Sequence, residues 1–463
     1  MDLRLIAAVN AGKVAGVAAR QLRRGGGTAL PGLVAERADP GVARKLGRQL
    51  GGGRVLVTGT NGKTTTSRML ARMLAEAGVP YLHNREGSNL MRGIASALLG
   101  ASGKCGAIHG GAGMVGLFET DEATLPPAAR ALAPRAIAFT NLFRDQLDRY
   151  GEVDTVAGLW REALAVTPKD ATLVLNADDP SVAELALDWP GPVHWFGLED
   201  AALGTEAAGA FDARWCRACG GAFDYDLRYF AHIGRWRCRR CGRARPAPDS
   251  RASNVRLELD SAGFAIDGLG DVSTPLTGVY NVYNALAAVA LARVIGLPPE
   301  AIVAGLQHVQ AAFGRQEVAT LEGRQVRLLL CKNPAGANQV IQLLGTIGRL
   351  AERELRVAVL LNDRFADGQD VSWTWDVDFE LLAGKVDASW AGGDRAEDMA
   401  LRLKYAGWPA PGAIEHEAAA LLDAIVAQTA PGDRAFVLAT YTAMLDLRAE
   451  LQRRGAVGAF WEG

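Results

Sequence analysis

The chain has 463 residues, of which 49% are hydrophobic and 22% are charged, and its formal net charge is −1. This composition is typical of a soluble globular protein of about three domains, and it excludes the fibrous, disordered, secreted and membrane-spanning classes. The near-zero charge argues against a protein that coats nucleic acid. Because no apolar run approaches the roughly 18–20 residues of a transmembrane helix, a cytoplasmic location is expected.

The first 48 residues are predicted to form a helical leader. Apolar side chains recur at roughly helical spacing from Leu3 to Leu22, and the glycine run at 25–27 ends the pattern. We expect this helix to dock on the chain's own core. The alternative is that its cationic end, from Arg20 to Arg24, contacts lipid headgroups.

From Arg54 onward, short apolar strands alternate with alanine-rich helical segments, which predicts an α/β fold with mostly parallel sheets. The pattern divides the chain into a leader (1–48), a central domain (49–312) and a C-terminal α/β, Rossmann-like domain (313–463). An insert rich in cysteine, arginine and aromatic residues interrupts the central domain at about 211–249.

The segment from Thr58 to Thr66 reads TGTNGKTTT and joins a predicted strand to a predicted helix. Glycines let the backbone approach phosphate oxygens, and the amides at a helix N-terminus point at the anion. Lys63 is predicted to reach the β- and γ-phosphates of a nucleotide, and the Thr64 hydroxyl is predicted to bind Mg²⁺. The predicted nucleotide-binding residues of this loop are Gly59, Thr60, Asn61, Gly62, Lys63, Thr64 and Thr65.

Four of the six cysteines form two C-x-x-C pairs, Cys216 with Cys219 and Cys238 with Cys241, separated by 18 residues. Two such pairs at this spacing are typical of a zinc ribbon with four thiolate ligands. Four thiolates leave no open coordination position, so the predicted Zn²⁺ is structural. A redox pair and free thiols are the alternatives. The surrounding arginines and aromatic residues leave nucleic acid, protein and lipid headgroups open as partners of the insert.

The phosphate loop resembles the nucleotide loop of the Mur ligase superfamily, the ATP-dependent amide ligases of peptidoglycan and folate polyglutamate synthesis. Other segments resemble motifs of that superfamily in the same order. They are LFETDEA around Glu119, TNLFRDQLDRY from Thr140, NADD from Asn176, GVYNVYN from Gly278 and FGRQE from Phe313. The resemblance implies that Glu119 binds Mg²⁺, that Asn281 contacts adenine, and that Arg315 reaches the ATP phosphates.

Two positions depart from the superfamily's pattern. Gln146 stands where the motif has a histidine that helps to bind a second metal ion, and Trp160 occupies the position of the carbamylated lysine that holds the same ion. The leader is also too short for the superfamily's UDP-sugar-binding domain. An ordinary amino-acid-adding ligase that acts on a UDP-linked precursor is therefore a poor fit.

The C-terminal region contains LNDRFADGQDVSWTWD from Leu361. Together with the zinc ribbon, this segment resembles one branch of the superfamily, the ligase-like subunits of lipid II isoglutaminyl synthase. The resemblance implies that ATP phosphorylates the α-carboxylate of D-glutamate in the lipid II stem peptide at the inner face of the cell membrane. Ammonia then attacks the acyl phosphate and gives D-isoglutamine, and Lys63 has a catalytic role in the phosphoryl transfer.

Neither Cys105 nor Cys331 lies in a motif typical of a glutaminase nucleophile. Ammonia is therefore expected from a second polypeptide, which the resemblance identifies as a GatD-type glutamine amidotransferase in a heterodimer. In that family the ligase subunit contributes an aspartate that orients the partner's catalytic histidine. Asp363 is the first candidate for this aspartate, and Asp367 is the second.

Two other functions remain open on the sequence. The chain could be a stand-alone Mur-type or folylpolyglutamate-type ligase that joins an amino acid to a carboxylate. It could also be a zinc-ribbon ATPase that depends on nucleic acid, against which the near-zero net charge counts.

Overall fold

The computed structural model of the chain describes most of its length, and every structural statement below concerns these residues. They are residues 2–21, 29–84, 88–144, 153–204, 212–311, 315–351 and 354–457, without the side chains of Arg20, Gln21 and Arg315. Some features of the sequence lie outside the described residues. They are the glycine run 25–27, Arg23 and Arg24, Gln146 in the TNLFRDQLDRY element, and Phe313 and Gly314 of the FGRQE element.

The leader forms three helices that pack on the central domain. They are Leu3–Gln21 (α1), Leu30–Ala38 (α2) and Val42–Gly47 (α3). Leu5 and Val9 of α1 are buried in a core that they share with Ile94 and Leu98 of a later helix. The leader therefore docks on the chain's own core.

The central domain contains most of the strands. In chain order they are Arg54–Thr58 (β1), Tyr81–His83 (β2), Val115–Glu119 (β3), Ala136–Phe139 (β4), Thr172–Asn176 (β5), Val193–Leu198 (β6), Phe223–Phe230 (β7), Ile233–Cys238 (β8), Ser250–Leu257 (β9), Ala262–Ile266 (β10) and Gly270–Thr274 (β11). One sheet has the order β11-β10-β9-β6-β5-β4-β1-β3-β2. Its strands from β9 to β2 pair in parallel, and β10 and β11 extend it by antiparallel pairing.

Helices cover both faces of this sheet. They are Lys63–Glu76 (α4), Met91–Ala101 (α5), Leu125–Leu132 (α6), Val153–Val166 (α7), Pro180–Ala183 (α8), Val279–Val294 (α9) and Pro299–Gln307 (α10). Val55 and Val57 of β1 face a core that contains α4, α9 and α10, whereas Leu56 faces the core beneath α5, α6, α7 and the leader. A parallel strand buried on both faces reads as a continuous apolar run, which is the pattern of β1.

The C-terminal domain is a second, smaller α/β sheet. Its strands are Arg315–Leu321 (β12), Arg324–Leu330 (β13), Leu355–Leu360 (β14), Val386–Gly392 (β15), Ile414–Glu415 (β16) and Arg434–Ala439 (β17), and its helices are Pro334–Ala351 (α11), Ala396–Tyr405 (α12), Ala418–Gln428 (α13) and Tyr441–Arg453 (α14). The strand order is β12-β13-β17-β14-β15-β16, and β12 pairs antiparallel to β13. The remaining neighbours in this sheet are parallel.

The predicted α/β class with mostly parallel sheets is confirmed, but the sequence analysis missed several strands. The hairpin of β12 and β13 turns at Glu322 and Gly323, which both have positive φ, at 47° and 77°. A two-residue turn of this kind is typical of tight hairpins, so the Glu-Gly pair was a usable signal. The insert also forms a hairpin, β7 and β8, that pairs with neither large sheet. No helix in the described ranges has both the length and the apolar composition needed to span a membrane.

Candidate active site

The phosphate loop lies between β1, which ends at Thr58, and α4, which begins at Lys63. Gly62 precedes the helix with φ of +88°, in the left-handed region that favours glycine. A Cβ at this position would overlap the Asn284 side chain of α9. The loop sequence thus meets two demands at once, because the backbone turns sharply into the helix and passes close to a neighbouring amide.

Lys63 is buried among carboxylates. Its Nζ donates a hydrogen bond to Glu122 Oε1 at 2.8 Å and contacts the carbonyl oxygen of Gly59. Burial favours the neutral amine, but the charges of Glu122, Asp121 and Glu119 outweigh it and raise the pKa of Lys63. Burial also raises the pKa of Glu122, against the charge of Lys63. The site therefore concentrates one ammonium and three carboxyl groups beside the loop, a donor set suited to Mg²⁺ and phosphate oxygens.

Asparagine side chains connect the loop to its neighbours in both domains. Asn141 accepts a hydrogen bond from the Asn61 amide at 2.9 Å, and its own Nδ2 donates to the Asn61 carbonyl at 3.0 Å. The carboxamides of Asn61 and Asn333 donate to each other, at 3.4 and 3.2 Å. Since Asn333 follows β13, the phosphate loop is tied directly to the C-terminal domain.

A cleft of about 380 Å³ opens between the two domains at this loop. The predicted loop residues from Thr60 to Thr65 line it, as do Glu119 and Asn281. The C-terminal domain contributes Lys332 and Tyr441 among other residues. Both faces of the cleft contribute polar side chains among apolar ones, and the volume is within the range of small-molecule sites.

Most of the predicted nucleotide-binding residues therefore meet in one cleft. Asn281 is buried there, and its Nδ2 donates to the Thr277 carbonyl at 2.9 Å. The neighbour of Arg315, Gln316, lines the cleft, but the Arg315 side chain is outside the described residues. Gly59 also lies in the loop, and its φ is +132°.

Three residues of this cleft were given no role from the sequence. Glu122 and Asn141 were named only within the LFETDEA and TNLFRDQLDRY motifs, and Lys332 was not singled out. Their roles depend on contacts between segments far apart in the chain: the Lys63–Glu122 bond spans 59 residues and the Asn61–Asn141 bond spans 80. Acidic residues clustered after a strand end were the available signal.

Trp160 does not face the cleft. Its ring is fully buried in α7 and packs edge-on against Phe139 at a centroid distance of 5.0 Å. This indole occupies the core beneath the sheet, where it cannot act as a metal ligand. Trp160, which departs from the superfamily pattern, is therefore a residue of the hydrophobic core.

The four cysteines of the insert come together. The ligand atoms of Cys216, Cys219, Cys238 and Cys241 all lie within 4.8 Å of one another. The backbone amide of Cys241 donates to Cys238 and lowers the pKa of its thiol, whereas burial raises the pKa of the Cys216 thiol. Four sulfur atoms at this spacing match tetrahedral coordination, so the residues present fit a Zn²⁺ ion.

The two candidate aspartates have different environments. Asp363 follows β14, its side chain is 35% exposed, and its nearest cation is Arg395 at 3.6 Å. Asp367 is 2% exposed and accepts hydrogen bonds from the amide and the hydroxyl of Thr442 in the first turn of α14. Asp363 is accessible to a second protein, whereas Asp367 caps a helix.

Replacing Asp367 is expected to destabilise the C-terminal domain. Asp367→Ala removes the acceptor for the Thr442 amide, and loss of such a cap costs about 1–2 kcal/mol of unfolding free energy. Urea unfolding followed by circular dichroism measures the change. Asp387→Ala, at an exposed strand position, is the control and should shift stability by less than about 0.5 kcal/mol. Equal stability of Asp367→Ala and the unaltered chain would contradict the capping role.

The acidic, tryptophan-containing segment joins the two domains. Asp376 pairs with Arg144 of the central domain at 2.6 Å, and its carbonyl accepts a hydrogen bond from Asn338 of α11 at 3.2 Å. Trp375 is half exposed and packs against Tyr405 and Arg402. This segment therefore has a structural role at the domain interface in addition to any role of Asp363.

Comparisons with known proteins agree with this arrangement. The model of the Mur ligase middle domain matches residues 57–215, and that of the MurT ligase C-terminal domain matches residues 330–444. The chain is 36% identical to the lipid II isoglutaminyl synthase (glutamine-hydrolyzing) subunit MurT of Streptococcus pneumoniae, over 94% of both chains. It is 33% identical to the MurT subunit of Staphylococcus aureus N315, over 89% of this chain and 90% of that protein.

Solved structures show the same fold at low sequence identity. A pseudomurein peptide ligase type C from Methanothermus fervidus matches with a TM-score of 0.64 and 21% identity, over 87% of this chain and 78% of the other. MurF from Acinetobacter baumannii matches with a TM-score of 0.64 and 20% identity, over 91% and 80%. The extent of the similarity to the two MurT subunits, which covers nearly the whole chain, shows that the chain belongs to the MurT family of Mur ligases.

Proposed function

We propose that this chain is the ligase subunit of a glutamine-dependent enzyme that amidates the α-carboxylate of D-glutamate in the lipid II stem peptide to D-isoglutamine. The observation that carries the proposal is the interdomain cleft, where Lys63 lies among Glu119, Asp121 and Glu122 and faces the C-terminal domain. The identity to the MurT subunits supports the choice of substrate.

In this proposal the cleft binds ATP and Mg²⁺. The loop amides from Thr60 to Thr65 and the Arg315 side chain hold the phosphates, and Thr64 and Glu119 are the ligands for Mg²⁺. Asn281 contacts the adenine. Mg²⁺ supplies charge neutralisation for the transferring phosphoryl group. Lys63 exchanges its bond to Glu122 for phosphate oxygens when the nucleotide enters, which places an ammonium where negative charge develops.

The proposed reaction has two steps. A carboxylate oxygen of D-glutamate attacks the γ-phosphorus of ATP, the bond to the β-phosphate oxygen breaks, and an acyl phosphate and ADP form. Ammonia then attacks the acyl carbon, loses a proton, and expels inorganic phosphate to leave the amide. The chain's own residues act by holding the two reactants in line and excluding water.

The ammonia comes from a GatD-type glutaminase subunit in this account. Burial raises the pKa of the Cys331 thiol, which is the opposite of what a nucleophilic cysteine requires. Four of the other cysteines form the metal cluster. We assign Asp363 as the residue that orients the partner's histidine, because its carboxylate is partly exposed, whereas Asp367 is buried and accepts hydrogen bonds from α14.

The cysteine cluster is proposed to hold one structural Zn²⁺. Replacing the buried pair Cys216 and Cys238 by serine is expected to abolish zinc binding and lower the melting temperature, because metal binding contributes folding free energy to a small unit. Metal content by mass spectrometry and thermal unfolding measure both effects. Cys105→Ser is the control and should keep one zinc per chain. Stoichiometric zinc in the double serine variant would contradict the assignment.

The leader is proposed to lie near the inner face of the cell membrane, where the lipid-linked substrate is found. Leu3 and Val14 are largely exposed on α1, and Val17 is about half exposed. Exposed apolar side chains of this kind could enter the headgroup boundary of a bilayer.

One experiment separates the proposed function from its alternatives. ATP hydrolysis by the purified chain is measured with lipid II and a co-expressed glutaminase, with free amino acids, and with DNA or RNA. The account predicts turnover only with lipid II together with glutamine and the glutaminase, or with ammonium. Stimulation by an amino acid alone indicates a stand-alone ligase, and stimulation by nucleic acid alone contradicts the proposal.

A further inference from the structure

The hairpin of β7 and β8 runs between the cysteine cluster and the nucleotide cleft. The four cysteines lie at its open end, where Cys238 ends β8. At its other end Ala231 and His232 form the turn, and Ala231 has a positive φ of 43°. The five residue steps of β8 from Ile233 to Cys238 correspond to about 17 Å. The hairpin thus spans the distance from the metal cluster to the core.

The tip of this hairpin is buried beside the cleft. His232 and Ile233 are fully buried, and Phe230 lines the cleft. Phe143 contacts both aromatic side chains of the tip, with ring centroids 6.2 Å from Phe230 and 4.6 Å from His232. The tip is therefore part of the wall that supports the nucleotide site.

Phe143 connects the tip to the phosphate loop. The amide of Phe143 donates to the Thr60 hydroxyl at 3.0 Å, and that hydroxyl donates to the Phe143 carbonyl at 3.1 Å. Thr60 is a loop residue that lines the cleft. A shift of the tip against Phe143 would therefore be transmitted to the loop that holds the phosphates.

His232 has an unusual position for a buried polar side chain. Neither ring nitrogen has a hydrogen-bond partner among the described residues, and Nε2 lies 3.5 Å from Asp179 Oδ1. Asp179 accepts a hydrogen bond from the amide of Leu142, the residue before Phe143, at 2.8 Å. Burying an imidazole without a hydrogen bond costs free energy, and the ring is packed here between Phe143 and Asp179.

The rest of the hairpin is held by the residues that directly follow β5. The Gly234 amide donates to the Asp178 carbonyl at 2.9 Å, and Trp236 Nε1 donates to the Ala177 carbonyl at 3.0 Å. Arg245, in the chain that follows the cluster, pairs with the buried Asp178 carboxylate. These contacts hold both strands of the hairpin against the core. An isolated two-stranded hairpin is only marginally stable, so the hairpin depends on such constraints.

We propose that metal at the four cysteines and nucleotide in the cleft are coupled through the β7–β8 hairpin, with His232 as a positioning residue. The metal holds the hairpin, and the hairpin tip holds Phe143 and Thr60 in the geometry that binds phosphate. The inference rests on the nucleotide and metal sites of the proposed function but not on its substrate or partner.

The coupling is tested on the full-length, zinc-loaded chain by competition for zinc with a chelating dye. Coupling between two sites is reciprocal in their binding free energies, so the dye is used to measure the zinc affinity at equilibrium. Saturating Mg-ADP is therefore expected to lower the apparent dissociation constant of zinc by about tenfold, and removal of zinc is expected to weaken ADP binding by a similar factor. Zinc affinity that is indifferent to ADP, together with unchanged ADP affinity after zinc removal, would overturn the proposal.

His232→Ala is expected to keep one zinc per chain but to lose most of the effect of ADP on zinc affinity and to bind ADP about tenfold more weakly. Asp226→Ala, at an exposed position of β7, is the control and should behave as the unaltered chain. A purely structural histidine would lower the melting temperature without changing the linkage, which would overturn its assignment. If the variant does not fold, the effect of ADP on zinc binding in the unaltered chain decides whether the two sites are coupled. If zinc binding and ADP binding are coupled but the complex does not amidate lipid II, the proposed reaction is contradicted and the coupling stands.

Discussion

Lys63→Met is expected to reduce the amidation rate by roughly 10³-fold, because the variant lacks the ammonium that meets the charge of the transferring phosphoryl group. Lys63 is buried, and its pKa is raised by Glu122, Asp121 and Glu119 in spite of burial, so it is protonated throughout the physiological range. A methionine of similar length preserves packing but removes the ammonium that pairs with Glu122. We expect weaker Mg-ATP binding in addition to the loss in turnover, since the uncompensated carboxylates repel the phosphates.

The measurement is ADP release in the complex with lipid II and ammonium, which removes any dependence on the glutaminase. Lys169→Met is the matched control, because Lys169 is exposed and lies at the other end of β5 from the cleft. It should retain full activity. Near-normal turnover by Lys63→Met in a chain that remains folded would show that the phosphate loop does not carry the catalysis proposed for it.

Asp363→Asn is expected to abolish amidation with glutamine while leaving amidation with free ammonium intact. Asparagine keeps the size of the side chain but cannot stabilise an imidazolium or hold the histidine in the correct tautomer. Loss of a triad carboxylate in this way lowers turnover by roughly 10⁴-fold. Because Asp363 lies on the C-terminal domain and does not line the nucleotide cleft, ADP release with ammonium should be unaffected.

Two controls separate this role from a structural one. Asp363→Glu should restore part of the glutamine-dependent rate if a carboxylate is what the partner requires. Asp367→Asn should lower stability and affect both nitrogen sources alike, because Asp367 binds Thr442 within the domain. If Asp363→Asn reduces the rates with glutamine and with ammonium to the same extent, Asp363 does not serve the partner's triad.

Local sequence patterns predicted the nucleotide loop well, because that part of the site is encoded within a few residues. The helix predicted after the loop is observed as Lys63–Glu76, and the glycines of the loop indicate its turn in the sequence. The cysteine cluster is similar: two short pairs at a typical spacing predicted four ligands, and their sulfur atoms lie within one small volume.

The parts that could not be predicted depend on contacts distant in sequence. The mutual hydrogen bonds of Asn61 and Asn333 join segments 272 residues apart, and neither motif alone indicates the other as its partner. The distinction between Asp363 and Asp367 likewise depends on Thr442, which is 75 residues away from Asp367. The position of the insert at the wall of the cleft could not be predicted either, because the cysteine pairs form a recognisable motif in the sequence while the turn from Phe230 to Ile233 does not.

Transfer of oxygen from substrate to phosphate tests the central claim most directly. Lipid II labelled with ¹⁸O in the D-glutamate α-carboxylate is amidated by the complex with glutamine labelled with ¹⁵N in its side-chain amide. The account predicts one ¹⁸O in each inorganic phosphate released and ¹⁵N in the D-isoglutamine, in equal amounts. Phosphate free of ¹⁸O while the amide still forms would contradict activation of the carboxylate as an acyl phosphate in this cleft.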